Sequence, residues 1–235
     1  MVVEPRCPRP WPPRIQAAGV SSLEEALFCS RVGVDTLGLT LELPDGVHDG
    51  LTREKAAAIV HRLPKHLLVV VITYLNEADS ACDLVHAVPG TAVQFHGGID
   101  KAELMRFRKA CPHIKTIGRV SVTGEDALSE ARGFQRPLWD AIILDSLDPE
   151  TGRKGATGLV HDWNISAAIV KNTRLPVILA GGLNPTNVGR AIEMVQPHAV
   201  DAHSGLEEPD GSRSFKKIQE FATAARIAFQ KTGVA

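Results

Sequence analysis

The stretch PVILAGGLNPTNVGRAIEMVQPHAVDAHSGL, residues 176–206, contains the sequence pattern from which the architecture can be inferred. An apolar run, PVILA from Pro176, precedes two glycines, and a segment with apolar residues at helical spacing then leads to a second run, AVDAH from Ala199. Short runs dominated by apolar residues are typical of parallel strands that helices cover on both faces. The stretch therefore predicts one strand–helix–strand unit of a parallel sheet.

The same unit repeats along the chain. Strands are predicted at RIQAA from Arg14, TLGLTL from Thr36, LLVVVIT from Leu67, TAVQF from Thr91, IKTIGRV from Ile114, DAIILD from Asp140, PVILA from Pro176 and AVDAH from Ala199. Helices are predicted at Ser22–Val32, Thr52–Leu63, Glu77–Val88, Lys101–Ala110, Glu125–Arg132, Asp162–Lys171, Asn184–Val195 and Ser214–Gln230. Eight strands that are each followed by a helix predict an α/β protein with a single (β/α)8 TIM barrel, residues 14–235. An open doubly wound sheet is the alternative.

Residues 1–13 form a proline-rich arm ahead of the barrel, and they lack the apolar core of a signal peptide. No apolar run reaches the roughly 18–20 residues that a membrane span needs. The four cysteines include no CxxC pair, and Cys29, Cys82 and Cys111 fall in helical segments, which indicates buried thiols in a reducing compartment. We therefore expect a cytoplasmic protein.

Composition and charge limit the partners. Hydrophobic residues make up 44% of the chain, charged residues 23%, and the net charge is −1. A near-neutral chain has no broad field of one sign to attract nucleic acid or an anionic membrane. We therefore expect no nucleic-acid or membrane partner and no cofactor, and the expected oligomeric state is a monomer or homodimer.

Two glycine turns predict a phosphorylated small-molecule ligand and the place where its phosphate binds. Gly181 and Gly182 follow the seventh strand, and Ser204 and Gly205 follow the eighth. Glycines let the backbone approach an anion closely, and the start of a helix directs N–H groups toward it. Phosphate sites in this fold are often built from the loops after strands seven and eight. The alternative is that these glycines only form tight turns.

Several motifs resemble those of the phosphoribosylanthranilate isomerase family. They are VQFHG at residues 93–97, GATG at 155–158 with Asp162-Trp163 after it, ILAGGLNP at 178–185 and VDAHSGLEEPDG at 200–211. The resemblance runs from about Gly19 to Phe221. It implies a barrel that performs an Amadori rearrangement on a phosphorylated ribosylamine.

The chain departs from the family at two positions. The family's general base is a cysteine that ends strand one in a Lys-Ile-Cys-Gly run, whereas the residues here are Gln16-Ala17-Ala18-Gly19. Cys7 lies upstream, in the arm, and only a gap would bring it near. The family also holds the anthranilate carboxylate with an arginine after strand two, but the loop here has no arginine before Arg53 and contains Asp45 and Asp49, which repel a carboxylate. These losses argue against a working enzyme of the tryptophan pathway.

The resemblance and the strand ends together select the candidate site residues. Asp145 matches the family's general acid, and Asp201 and His203 are further catalytic candidates. The base that replaces cysteine could be His203 or His161, since an unperturbed imidazole titrates near neutral pH. Glu42 is a further candidate for the base. The expected substrate-binding residues are His96, Arg119, Glu42 and Gly158.

A metal site is not expected. His96, Asp145, Asp201 and His203 are suitable ligand types, but they come from different strands without a short ligand spacing.

Three functions remain open. The expected function is that of a divergent phosphosugar isomerase with Asp145 as its general acid. The alternatives are an authentic phosphoribosylanthranilate isomerase with a replaced base and a non-catalytic phospho-ligand-binding relative. A Schiff-base aldolase is disfavoured because Lys115 starts strand five, at the wrong end of a barrel, while Lys154 lies in the loop 148–159, which could close over the site.

Overall fold

The computed structural model describes residues 11–43, 50–146 and 160–233. Eight parallel strands pair in chain order, and β8 pairs with β1, so the sheet closes into a barrel. The strands are β1 Ile15–Ala18, β2 Thr36–Leu41, β3 Leu68–Thr73, β4 Ala92–Phe95, β5 Lys115–Ser121, β6 Ala141–Asp145, β7 Val177–Leu179 and β8 Ala199–Ala202. Closure confirms the (β/α)8 barrel and excludes the open doubly wound sheet.

One α-helix follows each strand and packs on the outside of the barrel. The helices are α1 Leu23–Val32, α2 Arg53–Val60, α3 Ala78–Ala87, α4 Lys101–Ala110, α5 Asp126–Arg132, α6 Trp163–Asn172, α7 Val188–Val195 and α8 Phe215–Thr232. Three of these helices begin with a side-chain cap: Ser22, Thr52 and Asp162 accept hydrogen bonds from backbone N–H groups in the first turns of α1, α2 and α6. Within the described residues, no helix has both the length and the apolar character needed to cross a membrane.

The start of α7 differs from the prediction. This helix begins at Val188, four residues later than the sequence pattern indicates. A turn intervenes, in which the Asn184 side chain accepts from the Thr186 backbone N–H at 2.9 Å, and Asn187 accepts from the Asn184 backbone N–H at 2.8 Å. Asparagine side chains that bond the nearby backbone in this way compete with helix formation. The two glycines at 181 and 182 are therefore separated from the helix by this turn.

Strand residues alternate between the barrel interior and the helix layer. The interior cluster consists mainly of small and branched side chains, namely Ala18, Val70, Ile72, Ala92, Ile117, Ala141, Ile143, Ile178, Ala180 and Ala199. Larger apolar side chains such as Leu37, Leu39 and Phe95 lie in the outer layers against the helices. The polar interior positions near the carboxyl ends of the strands are thus left to form a site.

The amino ends of the strands are covered by the chain itself. Trp11 packs against the interior cluster, and Pro12 and Pro13 line a small cavity together with Gln16 and Thr36. Lys115 starts β5 at this end, and its Nζ lies 2.9 Å from Asp140 Oδ1, away from the carboxyl ends of the strands. The division into an arm (residues 1–13) and a barrel stays a prediction, because residues 1–10 lie outside the described part of the chain.

Cys29, Cys82 and Cys111 are buried free thiols, as predicted. Cys29 and Cys82 lie within helices, whereas Cys111 directly follows α4. Cys7 lies outside the described residues.

Candidate active site

Asp145 is the last residue of β6 and is buried at the mouth of the barrel, with 6% of its surface exposed. Its Oδ1 accepts from the Ser146 backbone N–H at 2.8 Å, and its Oδ2 lies 3.9 Å from Nε2 of His96. Burial raises the pKa of Asp145 to about 6, and the charge of Arg119, together with that of His203 when its imidazole is protonated, opposes that rise. Asp145 can therefore hold a proton near neutral pH.

A second carboxyl group lies in the same interior. Asp201 of β8 is buried to the same extent, and burial together with the charge of Asp145 raises its pKa to about 7. Gln16 pairs with Asp201 in the β1–β8 register, but Asp201 Oδ1 and Gln16 Nε2 are both buried without a hydrogen-bond partner among the described residues. Two carboxylates that share a buried site do not both ionise readily, so this pair retains a proton to higher pH than either group would in water.

The two glycine turns meet beside these carboxyl groups. Gly181 and Gly182 have φ angles of 79° and 65°, which glycine adopts without strain. A β-carbon on Gly205 would lie 1.9 Å from the Leu183 carbonyl oxygen, so the turn after β8 rests directly on the turn after β7. Only glycine allows this approach.

The backbone N–H groups of these turns are open to a ligand. In the parts of the chain that the structure describes, those of Gly181, Gly182, Ser204 and Gly205 donate to no protein acceptor. The Asn184–Asn187 turn fixes the glycine turn after β7, because Asn187 Nδ2 donates to the Gly182 carbonyl at 2.9 Å. Unpaired backbone N–H groups in two adjacent turns favour an anion.

His203 follows β8 and lies against the end of β1. The register pairs Ala17 with Ala202, so the next residue of each strand brings Ala18 opposite His203. A β-carbon on Gly19 would lie 2.1 Å from His203 Nε2, which means that the imidazole covers the backbone beside Ala18. The same Nε2 lies 3.3 Å from Glu207 Oε1, and the contact with His203 lowers the pKa of Glu207.

The site also depends on a buried ion pair that the sequence analysis did not identify. Arg213 Nε donates to Glu25 Oε1 at 2.7 Å, and its Nη1 donates to the His203 carbonyl at 3.0 Å. Glu25 also accepts from the Ser21 backbone N–H at 3.1 Å. This network attaches the turn that carries His203 to the start of α1. Its only sequence signal is the acidic residue three positions after the cap Ser22.

Arg119 and His96 lie next to the acid, as their strand positions predict. Arg119 Nε donates to the His96 carbonyl at 2.7 Å, and its Nη1 contacts the Ser121 hydroxyl. The His96 ring packs on Tyr74, with centroids 5.1 Å apart. Both residues therefore contribute to the environment of Asp145.

Glu42 lies apart from this group. It directly follows β2 and has a φ of 54°, and its Oε1 lies 2.6 Å from Arg53 Nε. Four other residues that the sequence analysis considered lie outside the described residues, namely Gly158, Asp45, Asp49 and Lys154. Over the described ranges, no group of three or more His, Cys, Asp or Glu side chains could hold a metal ion.

The fold and the site define a (β/α)8 barrel whose candidate active site lies where β6, β7, β8 and β1 end. The family model for N-(5'-phosphoribosyl)anthranilate (PRA) isomerase matches residues 16–224. The chain belongs to this family.

Relatives and solved structures agree. The chain is 38% identical over 218 residues to N-(5'-phosphoribosyl)anthranilate isomerase 2 of Methanosarcina mazei, which covers 93% of this chain and 96% of the relative. The crystal structure of phosphoribosyl anthranilate isomerase from Thermotoga maritima superposes with a TM-score of 0.77 at 30% identity, over 91% of this chain and 98% of the other. A structure of the isomerase with reduced 1-(o-carboxyphenylamino)-1-deoxyribulose 5-phosphate has a TM-score of 0.75 at 28% identity, with the same coverage.

Proposed function

We propose that this chain is a phosphoribosylanthranilate isomerase in which His203 has replaced the family's cysteine as general base. The observation that carries the proposal is the position of the His203 imidazole against the end of β1, within the electrostatic reach of the buried acid Asp145. The comparisons favour this function over the divergent phosphosugar isomerase, which was the first expectation from the sequence.

The reaction that gives the family its name converts a ribosylamine into a 1-amino-1-deoxyketose. An acid must protonate the ring oxygen so that the ring opens to an iminium ion, and a base must then remove the proton from C2 to give an enol. The enol takes up a proton at C1 while its C2 hydroxyl releases one, which yields the ketose. Asp145 suits the first role because burial raises its pKa to about 6, so that the protonated form is still available near neutral pH. An unprotonated imidazole suits the second role.

The surroundings of His203 support its role as the base. Glu207 carries a negative charge 3.3 Å from Nε2 and can stabilise the imidazolium that forms when the base takes a proton. Arg213 holds the His203 backbone through the carbonyl, at 3.0 Å. The base would therefore act from the β8–α8 turn, opposite the position that the family's thiol occupies at Ala18.

We further propose that the substrate phosphate binds to the N–H groups of Gly181, Gly182, Ser204 and Gly205. Four converging donors would fix the phosphate end of the substrate and leave the sugar carbon atoms between Asp145 and His203. Asp201 would act through Asp145. Asp201 retains its own proton to a pKa of about 7, and because the two carboxyl groups interact, they do not both ionise readily.

A swap of the two candidate base positions tests the assignment. His203→Ser should lower kcat by about 10²- to 10⁴-fold, the usual contribution of a general base. The double variant Ala18→Cys with His203→Ser should recover at least tenfold of that loss, because a thiol then stands at the family's position. His86→Gln, on the exposed face of α3, is the control and should keep full activity.

Turnover of phosphoribosylanthranilate by the purified protein is the primary measurement, and growth of a tryptophan auxotroph that lacks the isomerase supports it. Full activity of His203→Ser would refute the base assignment. A wild-type protein that binds phosphate but converts no ribosylamine would identify the non-catalytic relative instead.

One observation favours a second candidate, an isomerase of a different phosphorylated ribosylamine. Arg53 is already paired with Glu42 at 2.6 Å, and a substrate carboxylate would have to compete with that carboxylate for it. A ribosylamine without a carboxyl group on its aromatic half discriminates between the two. A higher kcat/KM for that compound than for phosphoribosylanthranilate would select the second candidate.

A further inference from the structure

A row of mostly polar side chains crosses the barrel interior from the amino ends of the strands toward Asp145. The register pairs Thr36 with Gln16 and Gln16 with Asp201. Extended by one residue, the pairing of β7 with β8 and with β6 sets Ala180 opposite both Asp201 and Asp145. Because the strands of a closed barrel are tilted and staggered, such a row climbs from one end of the barrel to the other. The row therefore joins the amino end of the barrel to the candidate active site.

Three neighbouring members of this row have buried polar atoms that are unpaired. Thr36 Oγ1, Gln16 Nε2 and Asp201 Oδ1 have no hydrogen-bond partner within the described parts of the chain. Buried polar groups in folded proteins almost always have a partner, which is either a protein group or an ordered water. Three unpaired atoms at adjacent positions therefore indicate a bound polar molecule.

Gln16 and Thr36 also line a cavity at the amino end of the barrel. Trp11 and the two prolines after it line the same cavity, and Lys115 Nζ lies 5.9 Å from the centre of the indole ring. The centre of a water molecule has about 10 Å³ of room in this cavity, which is just enough for one water. A wholly apolar cavity would stay dry, but the two unpaired atoms give a water its hydrogen bonds.

We propose that this cavity binds one water molecule, held by Gln16 Nε2 and Thr36 Oγ1, which fixes the Gln16 amide against the Asp201 carboxyl. The amide nitrogen of Gln16 has two hydrogens. One of them donates to the water, and the other is directed at Asp201, the next residue of the row. The water in turn donates to Thr36 Oγ1. The site is separate from the two glycine turns, so it does not depend on the proposed function.

The groups that face Asp201 determine how the water affects it. Burial raises the pKa of Asp201 to about 7, and the charge of Asp145 adds to this rise. Gln16 and Arg213 oppose the rise, Gln16 because an amide hydrogen favours the ionised carboxylate. An amide that turned its oxygen toward Asp201 would favour the protonated carboxyl instead. By fixing the amide, the water helps Asp201 to ionise.

The test follows the Asp201 carboxyl by carbon NMR during a pH titration of the full chain, without substrate. Gln16→Met should raise the pKa of Asp201 by about one to two pH units, since it removes a hydrogen bond to the ionised group. Thr36→Val should raise it by a smaller amount, and the double variant should titrate like Gln16→Met, because Thr36 acts only through the water and Gln16. Gln219→Met and Thr223→Val, on the exposed face of α8, are the matched controls and should leave the titration unchanged.

A crystal structure that shows a water between Gln16 and Thr36, together with shifted titrations in both single variants, would support the proposal. If Gln16→Met shifts the titration but Thr36→Val titrates like wild type, Gln16 acts on Asp201 directly and the water site is refuted. Additive shifts in the double variant would refute it as well. Thr36→Val is nearly isosteric, so it remains a test if Gln16→Met does not fold. Isomerase activity does not enter these measurements, so their failure would leave the proposed function standing.

Discussion

Replacing Gly205 with alanine tests whether the two glycine turns form one phosphate site. The new β-carbon would lie 1.9 Å from the Leu183 carbonyl oxygen, whereas carbon–oxygen contacts normally begin at about 3.3 Å. Both partners are backbone, so no side chain can turn aside. The two turns must separate by roughly 1.4 Å. The φ of Gly205 is outside the left-handed region, so overlap alone causes the effect.

The separation has two measurable consequences. An N–H that donates to phosphate at about 2.9 Å would lie beyond hydrogen-bond distance, and loss of one such bond costs about 1.5–3 kcal/mol. Phosphate binding should therefore weaken about 10- to 100-fold. Overpacking of this kind should also lower the free energy of unfolding by about 1–3 kcal/mol.

Calorimetric titration with inorganic phosphate and urea denaturation measure the two effects on the same preparation. Gly189→Ala is the control: it lies in α7, and an added β-carbon meets no atom within 4 Å. That variant should bind phosphate normally and gain about 0.5–1 kcal/mol of stability. If Gly205→Ala is folded and binds phosphate within twofold of wild type, the two turns do not form one site.

Three further predictions follow from the carboxyl groups and the buried ion pair. The proposed acid Asp145 has a pKa of about 6 and must be protonated to act, so kcat should fall as pH rises above that value. Asp145→Asn should lower kcat about 10²- to 10⁴-fold. Steady-state rates from pH 5 to 9 measure both effects. Asp201 has a pKa of about 7 when folded and an ordinary value of 3.8, so it binds its proton more tightly in the folded chain and stability is lost as pH rises between these values. Asp201→Asn should therefore stabilise the chain at pH 8, by at most about 4 kcal/mol, and give no gain at pH 3; equal effects at both values would contradict the burial argument. Arg213→Met should lower the free energy of unfolding by about 3–5 kcal/mol because it leaves Glu25 charged and buried, whereas Arg106→Met, which breaks the exposed pair with Asp79, should leave the denaturation midpoint nearly unchanged.

The barrel could be predicted from the sequence because its signals are local. Each strand is a short apolar run, and each helix has its own spacing and, at Ser22, Thr52 and Asp162, its own cap. The start of α7 could not be placed, because Asn184 and Asn187 bond the backbone in a turn that has the same apolar spacing as a helix. Local pattern fixed the order of the elements, and side-chain competition for the backbone fixed where this one begins.

The candidate site could be predicted only where it depends on strand ends. Asp145 and Asp201 lie near the carboxyl ends of β6 and β8, and the two glycine turns follow β7 and β8. A barrel brings the carboxyl ends of all its strands to one face. Two sets of contacts depend instead on which side chains meet across two or three elements: the Arg213–Glu25 ion pair, and the hydrogen bonds of the His161 ring to the hydroxyls of Ser146 and Ser166. Neither contact has a fixed spacing in the sequence, so no periodicity could indicate it.

The proposed exchange of the base illustrates the same limit. In this proposal the imidazole of His203 takes the role of the thiol that the family's motif implies at Ala18, although the two positions lie far apart in the sequence. Closure of the barrel pairs β8 with β1, and the register then sets these two positions opposite each other. A proton acceptor needs only to reach the reacting carbon, so either strand can supply it. Loss of the family's residue on one strand is therefore not by itself evidence that the activity is lost, when the neighbouring strand offers a group of suitable basicity.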